Sequence, residues 1–371
     1  MPMHSRTTRT AAHAPDFTRP LGDLGPVSAL AFGTALGDPN DTEDARYGDA
    51  IVTALAAGVT VIDTAINYRC QRSERAIGHA LARARSHALH DGARDGARDG
   101  ARDGARDGHG LGPIMVCTKG GYIPLESSPP SSKEAYRSYV RNTYLDTGMI
   151  RGDELVAGGH CIAPAFLTDQ IARSRWNLGV ECIDLYYVHN PEQQLEGGIA
   201  RDVFAQRLRD AFEALEAAVD AGAIRAYGCA TWNGLRTSPD APNHLSLEML
   251  VHTAREIAGD GHHFHAVQLP VSLAMPEAVR VQTQRVNGAA RTALEAAAEL
   301  GIAVVVGASL MHGRLAHDLP PAARAIFPDA PSDAACALTF ARMLPHVASV
   351  AVGMRSREHV RENVEVFASA L

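Results

Sequence analysis

The feature that most constrains the fold of this chain is an eightfold alternation of short apolar runs with amphipathic segments. The apolar runs are rich in β-branched residues, which is typical of buried strands, and a segment with helical periodicity follows each run. Strands and helices that alternate in this way build parallel sheets. Eight pairs predict an α/β fold of the (β/α)8 TIM barrel type. The alternative is a doubly wound sheet, but Gly33–Gly37 lacks the Gly-x-Gly-x-x-Gly spacing expected after its first strand.

The predicted elements have the following bounds. The strands are 28–32, 59–63, 114–119, 183–189, 224–229, 266–269, 302–306 and 348–352. The helices are 41–58, 72–87, 166–178, 203–221, 246–258, 289–300, 332–343 and 358–368. All of them belong to one domain, residues 16–371.

Four further segments lie outside this alternation. Residues 1–15 include basic residues but lack the apolar stretch of a secretory signal, so we expect a disordered tail. Residues 17–27 resemble a hairpin that turns on Gly22-Asp23. A low-complexity insert at 88–112 contains four copies of Asp-Gly-Ala-Arg, from Asp91 to Arg106, and cannot bury enough apolar surface to order itself. A long loop, 120–164, follows the third strand.

Composition excludes several classes of function. The net charge of −7 and the pI near 6.2 give no electrostatic reason to bind nucleic acid or an anionic membrane. No apolar run approaches the roughly 20 residues that span a bilayer. The six cysteines are scattered without a C-x-x-C spacing, which favours a reducing, cytoplasmic location over a disulfide framework.

Three neighbouring strands end in residues that can carry out chemistry. The second strand ends at Asp63, the third at Lys119 and the fourth at His189, and Tyr68 follows Asp63 by five positions. Active sites of (β/α)8 barrels lie at the carboxyl ends of the strands, so these side chains are expected to converge. A lysine ammonium beside the phenol would favour the phenolate and lower the pKa of Tyr68 from about 10. The set predicts protonation or deprotonation of a substrate oxygen.

The same residues carry a family resemblance. Asp63-Thr-Ala-x-x-Tyr68, Val116-Cys-Thr-Lys119 and Asp184-Leu-Tyr-Tyr-Val-His189 are similar to the tetrad motifs of the aldo-keto reductase superfamily, and the similarity extends from about Phe17 to Phe367. It implies hydride transfer between a nicotinamide and an aldehyde, ketone or sugar-like alcohol. It assigns Tyr68 as general acid, with Asp63 and Lys119 tuning it and His189 orienting the carbonyl. The hairpin resembles the one that closes the bottom of the family barrel.

The resemblance also implies a dinucleotide site at the later strand ends. The expected cofactor is NADP(H), with NAD(H) as the alternative, because Arg355 and His359 are suited to a 2′-phosphate. The apolar face against the nicotinamide would come from Met311 or Trp232. The complete set of expected cofactor residues is Thr231, Gln268, Ser309, Leu310, Gly313, Gly353, Arg355, His359 and Asn363.

The remaining candidates concern substrate and metal. Tyr122 and His160 in the long loop, together with Trp232, are expected to contact a small carbonyl or alcohol substrate. The His262-His263-x-His265 segment precedes the sixth strand and is expected at the amino end of the barrel, away from the chemistry. No ligand set has zinc spacing, so no metal is predicted.

Two other functions stay open on the sequence alone. The chain could act as a non-catalytic nicotinamide-binding sensor, although the intact tetrad argues against that function. It could also act as a Schiff-base aldolase with Lys119 as nucleophile, although Asp63 and Tyr68 suit a charged lysine better than a neutral one. The sequence does not predict an oligomeric state.

Overall fold

The computed structural model describes residues 17–95 and 113–369. The predicted tail and residues 96–112 of the predicted insert therefore lie outside the described residues. Residues 88–95 of the insert are helical and extend the helix that was predicted to end at residue 87, so that boundary is wrong; alanine and arginine favour helix and outweigh the one glycine there. Within the described parts, the strands in chain order are β1 Thr18–Pro20, β2 Pro26–Ser28, β3 Leu30–Gly33, β4 Val61–Asp63, β5 Met115–Gly120, β6 Leu185–His189, β7 Tyr227–Ala230, β8 Phe264–Pro270, β9 Gln284–Val286, β10 Ala289–Arg291, β11 Ala303–Gly307 and β12 Val347–Gly353.

Helices connect the strands. In chain order they are α1 Asp41–Ala56, α2 Arg72–Asp95, α3 Lys133–Val140, α4 Pro164–Leu178, α5 Gln193–Glu196, α6 Arg201–Asp220, α7 Leu247–Ala258, α8 Glu277–Arg280, α9 Ala293–Glu299, α10 Pro321–Arg324, α11 Asp333–Arg342 and α12 Arg357–Ala368. Several start where the sequence provides a side-chain oxygen for the free backbone N–H groups of the first turn. These caps are Asn40, Ser132, Ser246, Thr292, Ser332 and Ser356.

Eight of the strands close into a barrel. Their order around it is β3, β4, β5, β6, β7, β8, β11 and β12, with β12 pairing to β3. All eight strand pairs of the barrel are parallel, including the pair β12–β3 that closes it. The predicted (β/α)8 fold is therefore confirmed, and its eight predicted strands correspond to these eight.

The hairpin β1–β2 covers the amino-terminal end of the barrel, as the resemblance implied. Leu21, Leu24 and Val27 pack into the cluster that fills the lower barrel interior, against Val61 and Met115. Burying these apolar side chains removes their surface from water and closes this end of the barrel. The opposite end stays available for ligands. In the described part of the chain, no helix combines the length and the apolarity needed to cross a membrane.

The predicted helix 289–300 is wrong in its first third. Residues 284–286 and 289–291 instead pair as an antiparallel hairpin, β9–β10, and α9 begins only at Ala293. Asn287 and Gly288 make the turn with φ of 50° and 79°, the left-handed values that an Asn-Gly hairpin turn requires. Thr292 and Glu295 then form a reciprocal capping box that starts the helix.

The long loop after β5 contains more regular structure than predicted. It includes α3 and a short π-helical turn over Arg141–Leu145. A separate apolar cluster holds the loop together, formed by Ile123, Val140, Tyr144, Ile150, Cys161 and Phe166. This cluster gives the loop a core of its own above the barrel.

Candidate active site

The alternation of side chains along the strands decides which residues enter the barrel. Val61, Cys117 and Tyr187 belong to the interior cluster. Because successive side chains point to opposite faces of a strand, the residues two positions later also face inward. These residues are Asp63, Lys119 and His189, which therefore face the interior near the carboxyl ends of β4, β5 and β6.

Lys119 is buried and is held by two neighbouring groups. Its Nζ donates to Asp63 Oδ1 at 2.9 Å, to Asp63 Oδ2 at 2.8 Å and to the carbonyl oxygen of Thr64 at 2.7 Å. Gln268 Nε2 also donates to Asp63 Oδ1, at 2.9 Å. Burial lowers the pKa of Lys119, but the Asp63 carboxylate, together with Tyr68 and Cys117, raises it by more, so the pKa lies above its ordinary value. Lys119 is therefore a fixed positive charge at the barrel top.

Tyr68 lies beside this charge. Lys119 Nζ is 5.3 Å from the centre of the Tyr68 ring, and the Tyr68 and His189 rings meet edge to face at 5.9 Å. Lys119 lowers the pKa of Tyr68, as predicted, but burial raises it by more and Asp63 adds to the increase. The net pKa of Tyr68 is raised, so the expected decrease is wrong. The phenol is held in its acid form.

His189 is neutral in this environment. Burial and the nearby Lys119 ammonium hold the pKa of His189 well below its ordinary value. Its Nδ1 is buried and has no hydrogen-bond partner among the described residues. A neutral imidazole can orient a carbonyl oxygen through a hydrogen bond without adding another charge.

One cavity of about 610 Å³ connects the tetrad with the later strand ends. Asp63, Tyr68 and His189 line it, while Lys119 lies buried behind them. The nine residues of the expected cofactor set also line it, namely Thr231, Gln268, Ser309, Leu310, Gly313, Gly353, Arg355, His359 and Asn363. Of the two candidates for the apolar face against the nicotinamide, Trp232 lines the cavity and Met311 does not. The structure thus brings these predicted residues together around a single cavity.

Comparison with known proteins identifies the family. The profile of the Aldo/keto reductase family matches residues 29–324, which is more than half of the chain. The chain belongs to the aldo/keto reductase family. No curated protein matches its sequence.

Solved structures of aldo-keto reductases share the fold. An aldo-keto reductase from Bacillus halodurans in its holo form is 19% identical, with a TM-score of 0.59 and coverage of 95% of this chain and 91% of that one. The glycerol dehydrogenase of Gluconobacter oxydans is 19% identical, with a TM-score of 0.60 and coverage of 96% and 92%. An aldo/keto reductase from Klebsiella pneumoniae in complex with NADP and acetate is 17% identical, with a TM-score of 0.58 and coverage of 96% and 91%.

The cavity of this aldo/keto reductase is lined by polar groups that are available to a ligand. Thr231 Oγ1 and Ser309 Oγ are buried and have no partner among the described residues. Leaving a buried hydroxyl unpaired costs about 1–3 kcal/mol, so both oxygens are suited to bond a ligand. At the far end, Arg355 is the only arginine or lysine in the described cavity wall. Its Nη1 lies 3.4 Å from Glu43 Oε2, and its side chain is 44% exposed, which leaves the guanidinium accessible to a phosphate.

A buried carboxylate that the sequence analysis did not identify holds the loop after β7. Glu192 Oε1 accepts the backbone N–H groups of Trp232 at 2.6 Å, Asn233 at 2.9 Å and Gly234 at 3.3 Å. Burial raises the pKa of Glu192. This contact fixes the segment next to Thr231. The only sequence signal was a glutamate three residues after the last tetrad member.

The predicted substrate residues have different environments. Trp232 lines the cavity and its ring stacks on His312, with ring centres 6.1 Å apart and planes at 22°. Tyr122 is half-buried and His160 is buried, and neither lines the described cavity. The interpretation of His160 as a direct substrate contact is therefore not supported, because its ring is enclosed by protein.

The histidine-rich segment lies at the amino end of β8, away from the tetrad. His263 Nδ1 is 2.6 Å from Glu216 Oε2, and Tyr227 donates to Oε1 of the same carboxylate at 2.9 Å. Among the described residues, no group of three or more His, Cys, Asp or Glu side chains has a metal-binding arrangement.

Proposed function

We propose that the protein is an NADP(H)-dependent oxidoreductase that interconverts an aldehyde, ketone or sugar-like alcohol with its redox partner, with Tyr68 as the general acid and base. One observation carries this proposal. Tyr68, with the Lys119 ammonium 5.3 Å from its ring, opens into the cavity that also contains all of the expected dinucleotide residues. NADP in the related Klebsiella pneumoniae structure supports the choice of cofactor.

When bound, the dinucleotide supplies hydride to the substrate carbon or accepts it. The residues of the chain handle the oxygen. In the reductive direction Tyr68 Oη donates its proton to the carbonyl oxygen, and Lys119 stabilises the phenolate that remains. Asp63 keeps Lys119 charged and in place. The neutral His189 orients the carbonyl, while Thr231 and Ser309 offer unpaired hydroxyls to the cofactor.

The aldolase alternative fits this site less well. A Schiff-base lysine must be neutral and reach its substrate. Lys119 donates to three oxygens, has a raised pKa and does not line the described cavity. We also propose a cytoplasmic location, supported by the six cysteines, none of which forms a disulfide.

The test is a panel of carbonyls and alcohols incubated with NADPH, NADH and their oxidised forms. We expect substrate-dependent change in the absorbance of the reduced nicotinamide. Dinucleotide binding without turnover on any substrate would favour the sensor alternative. Covalent trapping of substrate on Lys119 by borohydride would favour the aldolase.

A further inference from the structure

A buried histidine of the long loop contacts the backbone of the catalytic histidine. His160 Nε2 lies 2.8 Å from the carbonyl oxygen of His189, and His160 Nδ1 lies 2.8 Å from Gln194 Nε2. The Gln194 amide nitrogen can only donate, so Nδ1 accepts and Nε2–H donates to the carbonyl. Burial lowers the pKa of His160 to about 4, which is consistent with this neutral form. Arg207 Nη1 in turn donates to Gln194 Oε1 at 2.7 Å.

Tyr122 links His160 to the imidazole ring of His189. The Tyr122 ring meets the His160 ring edge to face at 4.9 Å and the His189 ring edge to face at 5.0 Å. Its hydroxyl accepts from Asn190 Nδ2 at 2.9 Å. The His189 ring in turn meets the Tyr68 ring edge to face, with ring centres 5.9 Å apart. Four rings thus form one edge-to-face series, ending at the general acid. Such contacts fix the orientation of the rings.

The backbone around His189 leaves little freedom for another arrangement. Asn190, the next residue, has a left-handed φ of 47°. Gly121 has a φ of 136°, and a Cβ there would lie 3.0 Å from the carbonyl oxygen of His189 and 3.3 Å from His160 Nε2. The loop therefore approaches His189 closely enough that a side chain at position 121 would disturb the His160 bond.

We propose that His160 and Tyr122 are positioning residues for His189, acting through its carbonyl and its ring rather than through contact with substrate. The inference rests on the proposed function, in which His189 orients the carbonyl. Neither His160 nor Tyr122 lines the described cavity, so we expect the loss of either residue to leave the lining side chains in place. Its loss does release the imidazole, and displacement of a catalytic group by about 1 Å can cost about 10²-fold in rate.

The first test compares His160→Ala with His160→Gln and with Cys161→Ala. Cys161 is buried next to His160 in the same loop cluster and is not hydrogen-bonded to His189, so it reports on loop packing alone. We expect His160→Ala to lower kcat about 10–100-fold, with KM for the carbonyl within about 2-fold. The loss of the hydrogen-bond partner of a metal-ligating histidine has an effect of this size in metalloenzymes. His160→Gln should recover most of kcat because its amide can donate to the carbonyl. Cys161→Ala should remain near wild type.

Two outcomes would overturn the inference. A raised KM with unchanged kcat in His160→Ala would identify a substrate contact. An equal loss of kcat in Cys161→Ala would identify loop packing as the cause. If His160→Ala does not fold, Tyr122→Leu provides the same comparison, since it removes the ring against His189 and leaves His160 in place.

A second measurement does not depend on turnover. NMR of ¹⁵N-labelled histidine can follow the titration of His189, whose signal is assigned as the one that disappears in a His189→Gln variant. The titratable groups around His189 are Tyr68, Lys119, Tyr122 and His160. Releasing the ring and admitting water should raise the pKa of His189 in His160→Ala toward its ordinary value of about 6.5. An unchanged His189 signal in folded His160→Ala would refute the positioning role. Absence of wild-type activity on every substrate would instead refute the proposed function.

Discussion

At the scale of single residues, Tyr68 is subject to two opposing influences. Burial disfavours the phenolate and Lys119 favours it, and the effect of burial is the larger. A phenol kept protonated is suited to donate a proton in the reductive direction. Lys119 matters most after donation, when a phenolate must be stabilised in a buried site.

Replacing Tyr68 with phenylalanine tests the acid directly. We expect kcat to fall by about 10²–10⁴-fold, the usual contribution of a general acid, because no proton donor remains at the carbonyl oxygen. Dissociation constants for NADPH should change little, as measured by fluorescence titration. Tyr144→Phe, in a buried tyrosine outside the cavity, is the matched control. A kcat near wild type in Tyr68→Phe would exclude Tyr68 as the acid.

Replacing Lys119 with methionine should move the pH profile of reduction. Reduction needs the protonated phenol, so its rate falls as pH rises through the pKa of Tyr68. Removing Lys119 deletes the influence that lowers this pKa and leaves Asp63, which raises it. The alkaline limb should therefore move to higher pH, and oxidation, which needs the phenolate, should weaken at a given pH. Asp63 becomes an unpaired buried charge, costing about 3–5 kcal/mol, so thermal unfolding must confirm a folded variant.

Arg355→Ala tests the expected contact with the 2′-phosphate. Hydrogen bonds to charged groups contribute about 1.5–3 kcal/mol, so NADPH affinity should fall by about 10–100-fold while NADH affinity stays near wild type. Arg357→Ala is the matched control, because Arg357 is 61% exposed and pairs with Asp49 on the surface. Calorimetry with both dinucleotides measures the difference. Equal losses for the two would assign Arg355 a structural role.

At the scale of elements, loops that follow the strands take their shape from buried polar groups. Glu192 ties the segment after β6 to three backbone N–H groups after β7. These two loops carry Asn190, Thr231 and Trp232, which line the cavity. A single carboxylate thus fixes two adjacent parts of the cavity wall.

Glu192→Ala should loosen the loop after β7. Its three N–H groups lose their acceptor, and unpaired buried groups cost about 1–3 kcal/mol each. We expect weaker binding of NADPH and NADH alike, together with a lower melting temperature. Glu192→Gln keeps an acceptor oxygen and should retain most of the affinity. If Glu192→Ala bound both dinucleotides normally, the loop would not depend on this carboxylate.

At the scale of the whole molecule, the barrel has its candidate active site at one end and its closing hairpin at the other. The carboxyl ends of the strands carry the tetrad and the cavity, while β1–β2 covers the amino end. The Asp-Gly-Ala-Arg repeats start at Asp91, in the last turns of α2, and precede β5 in the sequence, so they lead toward the amino end of β5. Variation at that end is expected to leave the chemistry unaffected.

Deletion of Asp91 to Arg106 tests this separation. The deletion removes residues 91–95, the last residues of α2, together with residues 96–106. The cost of closing a connection changes by only about 0.6 kcal/mol per doubling of its length, so stability should change little. We expect kcat/KM and dinucleotide affinity near wild type, with thermal unfolding as the control for folding. A folded deletion variant with much lower activity would contradict our placement of the repeats.

The sequence by itself determined the barrel and the convergence of the tetrad residues. Both follow from local rules. Apolar runs alternate with helical segments, and a period of two puts Asp63, Lys119 and His189 on the inner face near the carboxyl ends of their strands. Two equally local signals were not used in predicting the helix at 289–300. They are Asn287-Gly288, which marks the turn of the β9–β10 hairpin, and Thr292-x-x-Glu295, which marks the start of α9.

Only the tertiary structure decided how each group behaves in its surroundings. The net pKa shift of Tyr68 depends on how much protein from distant strands encloses it, and no local pattern encodes that balance. His160 is buried against His189, 29 positions away, and Glu192 reaches Trp232, 40 positions away. Desolvation and hydrogen bonding act over a few ångströms in space. Pairs so far apart along the chain become neighbours only when the barrel closes.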